Sequence, residues 1–227
     1  MIEVLPERPF ARAGQVDCNF ALEHTVRYEL KQNGERISSD TRLEGPLRRL
    51  EIVLHQEMPQ NAPRAVFVHA GVVGWRGRVL VLPGCSYTGK STLTHALIQL
   101  GADYYSDEYA VILDNGNLAP YRRKLTLRRE DGQETRLVVA SASEQERPAS
   151  VHLVAFCPYV QEARWQPSEM SPGQGVLGLF SNSVTAQHSP DRDLKWLERS
   201  TRRARFLHSE RGEAGAMASC LLKILQQ

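Results

Sequence analysis

The sequence has no closely spaced cysteines. Cys18, Cys85, Cys157 and Cys220 stand far apart and none forms a C-x-x-C pair, which argues against zinc and against a disulfide framework, and fits the reduced thiols of a cytoplasmic protein. Long apolar runs are missing too: none approaches the ~20 residues that a membrane span needs. Met1 is followed by Glu3 and Glu7 rather than an apolar h-region, so neither a membrane partner nor a secretory signal is expected. Charge of one sign is also absent. With 28 Lys and Arg against 26 Asp and Glu, the net charge of +2 is too balanced to call for nucleic acid or a membrane surface. The chain shows no internal repeat and no low-complexity tract. What it has is 227 residues with 41% hydrophobic content, enough to bury one sizeable core with a small appendage.

The organisation follows from local signals. Residues 1–60 read as an N-terminal β-rich and helical region: strand formers at Thr25–Leu30, a hairpin turn at Asn33-Gly34, a return strand at Glu35–Ser38, and a helix through 46–57 closed by Pro59 and Pro63. Residues 61–227 read as the main domain. Ala65–Val73 and Arg78–Leu82 flank Gly74-Trp75-Arg76-Gly77 as a hairpin. Tyr104–Leu113 is strand material interrupted by Asp107-Glu108, and Val151–Val160 is another strand. Ser171-Pro172 opens a helix to about Val184, followed by a helix near 192–201, a strand about 204–209 and a last helix from Glu213 to Leu225. Stretches 129–149 and 161–170 read as loops. The alternation of strands and helices argues for an α/β domain.

Residues 79–92, VLVLPGCSYTGKST, are the most informative stretch. Val79, Leu80, Val81 and Leu82 read as a strand buried on both faces. Gly84, Cys85, Ser86, Tyr87, Thr88, Gly89, Lys90 and Ser91 then spell G-x-x-x-x-G-K-[ST], with Thr92 following, between that strand and a helix marked by Leu93, Ala96, Leu97 and Leu100 and ended by Gly101. By average residue usage the bare pattern arises in about one chain of this length in a hundred. Such a loop turns its N–H groups toward one anion, aided by the helix dipole. Lys90 is expected to reach the β- and γ-phosphates of ATP and the Ser91 hydroxyl to hold Mg2+.

The second half of such a site needs a carboxylate for Mg2+ and a base for the acceptor. Asp107-Glu108 suits both, at the end of a short strand expected to lie beside the loop strand. Adjacent carboxylates on extended backbone point to opposite sides unless the strand ends there. Asp107 is assigned to the metal and Glu108 to the base. His69, one strand before the loop, reads by itself as a structural histidine. Arg122, Arg123, Lys124, Arg128 and Arg129 form a basic run; a phosphoryl-transfer site needs such cations, and Arg123 is the one placed in it. Arg199, Arg202, Arg203, Arg205 and Arg211 read as a solvated surface, with no nucleic-acid motif.

In these elements the sequence resembles the kinase domain of HPr kinase/phosphorylase and its relatives. The matching parts are His-Ala-Gly-Val-Val at 69–73, the loop Gly84–Ser91, Ser106-Asp107-Glu108, and Pro120–Arg128 with its arginine at Arg123. The resemblance spans roughly residues 65–130, and 150–226 more loosely. It implies an α/β P-loop kinase fold shared with phosphoenolpyruvate carboxykinase, with a mixed central sheet and flanking helices. It also implies ATP- and Mg2+-dependent phosphorylation of a hydroxyl, typically a serine, on a protein, peptide or small-molecule acceptor. By the same resemblance His69 assists the acidic pair and Glu108 takes the proton-acceptor position.

Some features depart from the family pattern. Glu108 stands where the fullest matches have a second aspartate, and Tyr87 where a glycine is usual. Gly173–Gly178 is only a distant echo of the glycine-rich segment tied to phosphorolysis, and residues 1–60 do not resemble the founding family's N-terminal domain. That region and the two loop stretches are the expected sites of substrate recognition. A P-loop ATPase and a non-catalytic nucleotide-binding regulatory module are the other readings. GTP is disfavoured for want of an Asn/Thr-Lys-x-Asp motif. The sequence leaves the acceptor open, and a homo-oligomer is compatible with it.

Overall fold

At Asn33 and Gly34 both φ angles are positive, 51° and 87°, and the chain reverses tightly between two strands. The computed structural model describes residues 18–85, 88–121, 123–128, 134–137, 139 and 150–227. The chain divides into two compact units, Met1–Asn61 and Ala62–Gln227. In the first, β1 (Phe20–His24), β2 (Tyr28–Gln32) and β3 (Glu35–Asp40) form an antiparallel sheet in that order, followed by α1 (Glu44–Gln60). Leu30 and Val53 are buried there. The sheet has one more strand than the sequence suggests, since Thr25–Arg27 form the turn between β1 and β2 rather than the start of a strand. The helix runs past its expected end and takes Pro59 into its last turn.

The second unit is built on an eight-stranded mixed sheet. Its strands are β4 (Ala65–Trp75), β5 (Arg78–Pro83), β6 (Asp103–Ser106), β7 (Tyr109–Leu113), β8 (Leu118–Ala119), β11 (Val151–Phe156), β12 (Ser168–Glu169) and β13 (Arg205–His208). The order is β12-β13-β11-β5-β4-β7-β8, with β6 paired to β4 beside β7. Strands β5, β11 and β13 are parallel, and the pairings of β4 with β5, β6 and β7 are antiparallel. A separate hairpin joins β9 (Leu125–Arg128) to β10 (Glu134–Leu137), so part of the expected 129–149 loop is strand; its other residues, apart from Val139, lie outside the described ones.

Successive side chains of a strand point to opposite faces, and here both faces are covered. Leu80 and Leu82 enter a core with Leu93 and Leu97 of α2 (Lys90–Gln99) and Met217, Leu221 and Leu225 of α5 (Ala214–Gln226). Val79 and Val81 enter the opposite core with Leu179 of α3 (Pro172–Ser181) and Leu197 of α4 (Pro190–Thr201). This is why the run 79–82 has no polar alternation. The expected stripe on α2 is shifted: Leu100 is exposed, and Thr94 is buried in its place. Ser171 caps α3 through a reciprocal box with Gln174, but that helix stops at Ser181, three residues before the expected end. Strand β11 stops at Phe156, short of the expected Val160, and the chain then turns so that the Tyr159 N–H meets the Thr88 carbonyl. Among the described residues no helix is long and apolar enough to cross a membrane.

Candidate functional site

Gly84 follows the C-terminal end of β5, where its N–H donates to the His69 carbonyl of β4 at 3.1 Å. The loop then carries the chain into α2, whose N-cap is Gly89 with φ 80°. Thr88 Oγ1 and Lys90 Nζ both donate to the Cys85 carbonyl, at 2.8 and 2.5 Å. The lysine thus folds back toward the start of the loop. Burial pulls its ammonium below the ordinary lysine range, while the nearby Glu108 charge and the more weakly felt Asp107 charge act in the opposite direction. Ser86 and Tyr87 lie outside the described residues. Thr92 is exposed on the first turn of α2.

The acidic pair occupies a break in the sheet. Ser106, the last residue of β6, pairs with Val72, and Tyr109, the first of β7, pairs with His69; Asp107 and Glu108 lie between them, opposite Ala70 and Gly71. Ser106 Oγ accepts from the N–H groups of Glu108 and Tyr109, at 3.1 and 2.9 Å, and bends the chain there. The bend lets two neighbouring carboxylates serve one locus. Arg123 shows this: its Nε lies 3.5 Å from Asp107 Oδ1 and its Nη2 3.3 Å from Glu108 Oε2. One expectation needs correction: β6 runs beside β4, not beside the loop strand β5, because β4 is long enough to pair with β5 along one edge and with β6 and β7 along the other.

Asp107 is almost completely buried and fully engaged. Ser91 Oγ donates to its Oδ2 at 3.2 Å, and the Thr126 N–H lies 3.4 Å from the same oxygen. Tyr104 OH donates to Oδ1 at 2.8 Å. Glu108 is the more accessible of the two, with His69 Nδ1 3.8 Å from its Oε1. Burial lowers the His69 pKa, Glu108 raises it and Lys90 lowers it further, so the imidazole is held below its ordinary value. His69 is fixed through its backbone, its N–H donating to Asn182 O at 2.8 Å, and its ring tilts against Tyr109.

The predicted site residues His69, Cys85, Lys90, Ser91, Asp107, Glu108 and Arg123 therefore gather at the C-terminal end of β5 and the start of α2. Two contributors were not legible. Tyr104 reads in sequence as a strand tyrosine, and nothing in its spacing marks it. Arg211 belongs to a basic run that reads as solvated surface, yet it is buried, with Nη2 donating to Gly89 O at 2.8 Å and Nη1 to Gly212 O at 2.9 Å. Burial lowers the pKa of that guanidinium and pushes the neighbouring Cys157 thiol up to about 11.

Chemically, the locus offers backbone N–H groups at a helix start, one ammonium, one guanidinium, a hydroxyl–carboxylate pair and a second, accessible carboxylate. The Ser91 Oγ–Asp107 Oδ2 pair suits Mg2+, which takes only one or two protein oxygens and fills its octahedron with water and phosphate oxygens. Among the described residues no group of three or more His, Cys, Asp or Glu could hold a metal by itself. Compared with known proteins, the chain matches no family model, and no curated protein matches it.

Proposed function

We propose that the protein is an ATP-dependent phosphotransferase of the HPr-kinase-like P-loop type, which passes the γ-phosphoryl group of ATP to a hydroxyl, in the first place a serine of a protein or peptide. The observation that carries the reading is the 3.2 Å contact between Ser91 Oγ at the start of α2 and Asp107 Oδ2 in the strand break, because it joins the loop to the acidic pair at one point. In this reading the loop amides from Gly84 to Ser91 and the Lys90 ammonium bind the phosphates. Ser91 and Asp107 hold Mg2+, which when bound neutralises charge on the transferred group. Glu108 accepts the proton of the acceptor hydroxyl, with His69 Nδ1 beside it at 3.8 Å. Arg123, paired with both carboxylates, bridges them and lies near the developing charge on the phosphoryl oxygens.

The direct test is transfer of labelled γ-phosphate from ATP to serine-containing peptides and metabolites, drawn from genomic neighbours of the coding region. Transfer abolished by Lys90→Ala supports the reading; undiminished transfer by that variant overturns the mechanism. Hydrolysis to ADP with no acceptor labelled would identify an ATPase instead. Tight ATP binding without turnover, unchanged in Glu108→Gln, would identify a regulatory module.

A further inference from the structure

Tyr104 is buried on β6, and its hydroxyl makes a 2.8 Å hydrogen bond to Asp107 Oδ1. The other oxygen, Oδ2, faces Ser91. A carboxylate has two equivalent oxygens until its surroundings distinguish them, and here the phenol at 2.8 Å, with Arg123 Nε 3.5 Å from the same Oδ1, does so. The phenol O–H is the donor and the carboxylate oxygen the acceptor. A phenylalanine would fill the same volume and leave Oδ1 without that donor.

We infer that Tyr104 is a positioning residue for the divalent cation: its hydroxyl holds Asp107 Oδ1, so that Oδ2 is presented beside Ser91 at a fixed angle. The inference rests on the phosphotransferase reading and concerns only how that site is tuned. Hydrogen-bond partners of metal-binding carboxylates act in this way by orienting the ligand, and their loss typically weakens metal binding by about 10–100-fold.

The test uses the full chain and a fluorescent ATP analogue, titrated in EDTA and then with Mg2+. Tyr104→Phe should leave metal-free nucleotide affinity at the wild-type value and raise the Mg2+ concentration needed for half-maximal effect by about tenfold. In an Asp107→Asn background the same substitution should add nothing, because the group it orients is gone. In the unsubstituted chain, the 13Cζ resonance of Tyr104 should move when Mg2+ joins ATP and stay in place with ATP alone. A wild-type Mg2+ dependence in Tyr104→Phe overturns the inference, as does an equal loss of metal-free and Mg2+-dependent affinity, which marks a packing role. If Tyr104→Phe does not fold, an unmoved 13Cζ resonance overturns it independently. Wild-type protein that binds no analogue with or without Mg2+ overturns the nucleotide reading itself, an outcome distinct from all of these.

Discussion

Arg211 and Gly89 are matched to each other: the guanidinium donates to the Gly89 carbonyl at 2.8 Å, and a Cβ on residue 89 would stand 2.5 Å from Nη2. Gly89 also has φ 80°, a region costly for any residue with a side chain. The same carbonyl accepts the Leu93 N–H at 3.1 Å, so Arg211 reinforces the first turn of α2. Beneath the guanidinium lies the Tyr159 ring, 5.6 Å from its centroid, and the Tyr159 N–H donates to Thr88 O at 3.2 Å. The segments after β11 and β13 thus both hold residues 88 and 89.

Removing the guanidinium should therefore loosen the loop before it damages the sheet. Arg211→Met takes a charged donor from each of the Gly89 and Gly212 carbonyls, at a cost of roughly 1.5–3 kcal/mol, the usual range for hydrogen bonds from a charged group. With about 2–4 °C per kcal/mol for a domain of this size, melting should fall by several degrees. Gly89→Ala should also destabilise, through positive φ and through the displaced arginine. The double variant should lose less than the sum, since methionine can yield to the new methyl group. Strict additivity in denaturant melts would show that the contact carries no coupling.

The histidine beside the acidic pair sets a direction for pH. His69 is held below its ordinary value of 6.5, with burial as the largest cause. The unfolded chain then binds this proton more readily than the folded one, so the His69 contribution to stability is full above about pH 6.5 and lost as pH falls through the lower folded pKa. Side-chain NMR should place the His69 midpoint below 6.5. In Glu108→Gln it should drop further, because the Glu108 charge is what raises it. A midpoint that rises in Glu108→Gln would contradict the contact between them.

Much of this site was legible because its parts are local in sequence. The glycine spacing from 84 to 89, the apolar run 79–82 and the Ser106-Asp107-Glu108 break each carry their own signature over a few residues. Arg123 could be singled out only as one cation in a basic run, and its fork across both carboxylates is a tertiary fact. Arg211 was hidden for a related reason. Arginine is usually solvated, and its burial depends on a parallel bridge between Tyr159 and Arg211 that no spacing announces. The additional strands β1, β8, β9, β10 and β12 have two to five residues each, too short for periodicity to develop, and the pairing of β6 with β4 rather than β5 follows from the length of β4.

Arg123 should not be replaceable by lysine. Its Nε and Nη2 reach Asp107 and Glu108 at 3.5 and 3.3 Å, a span that a single ammonium cannot cover with the same geometry. In a γ-phosphate transfer assay, Glu108→Gln should lower kcat by about 10²–10⁴-fold, the usual share of a general base. Arg123→Lys should also lower kcat, and by a smaller factor in the Glu108→Gln background than in wild type, because one of its two partners no longer carries charge. Equal factors in both backgrounds would separate Arg123 from Glu108 functionally.

The break that holds the acidic pair also depends on a close approach of α2 to β4. Gly71 lies opposite that break, and a Cβ there would overlap Thr94 Oγ1, which is buried on α2. The glycine therefore lets the helix, with Lys90 and Ser91 at its start, press against the strand facing Asp107. Gly71→Ala should cost about 1–3 kcal/mol, the usual range for overpacking a filled core, and should lower Mg2+-dependent nucleotide binding as the helix is pushed outward. Thr94→Ala removes the oxygen that the new methyl group would strike. The double variant should therefore recover most of the lost stability and most of the binding, measured by thermal melts and nucleotide titration. Recovery of stability without binding would mean that the helix returns but the loop does not. No recovery of either would place the strain in the β4 backbone rather than against Thr94.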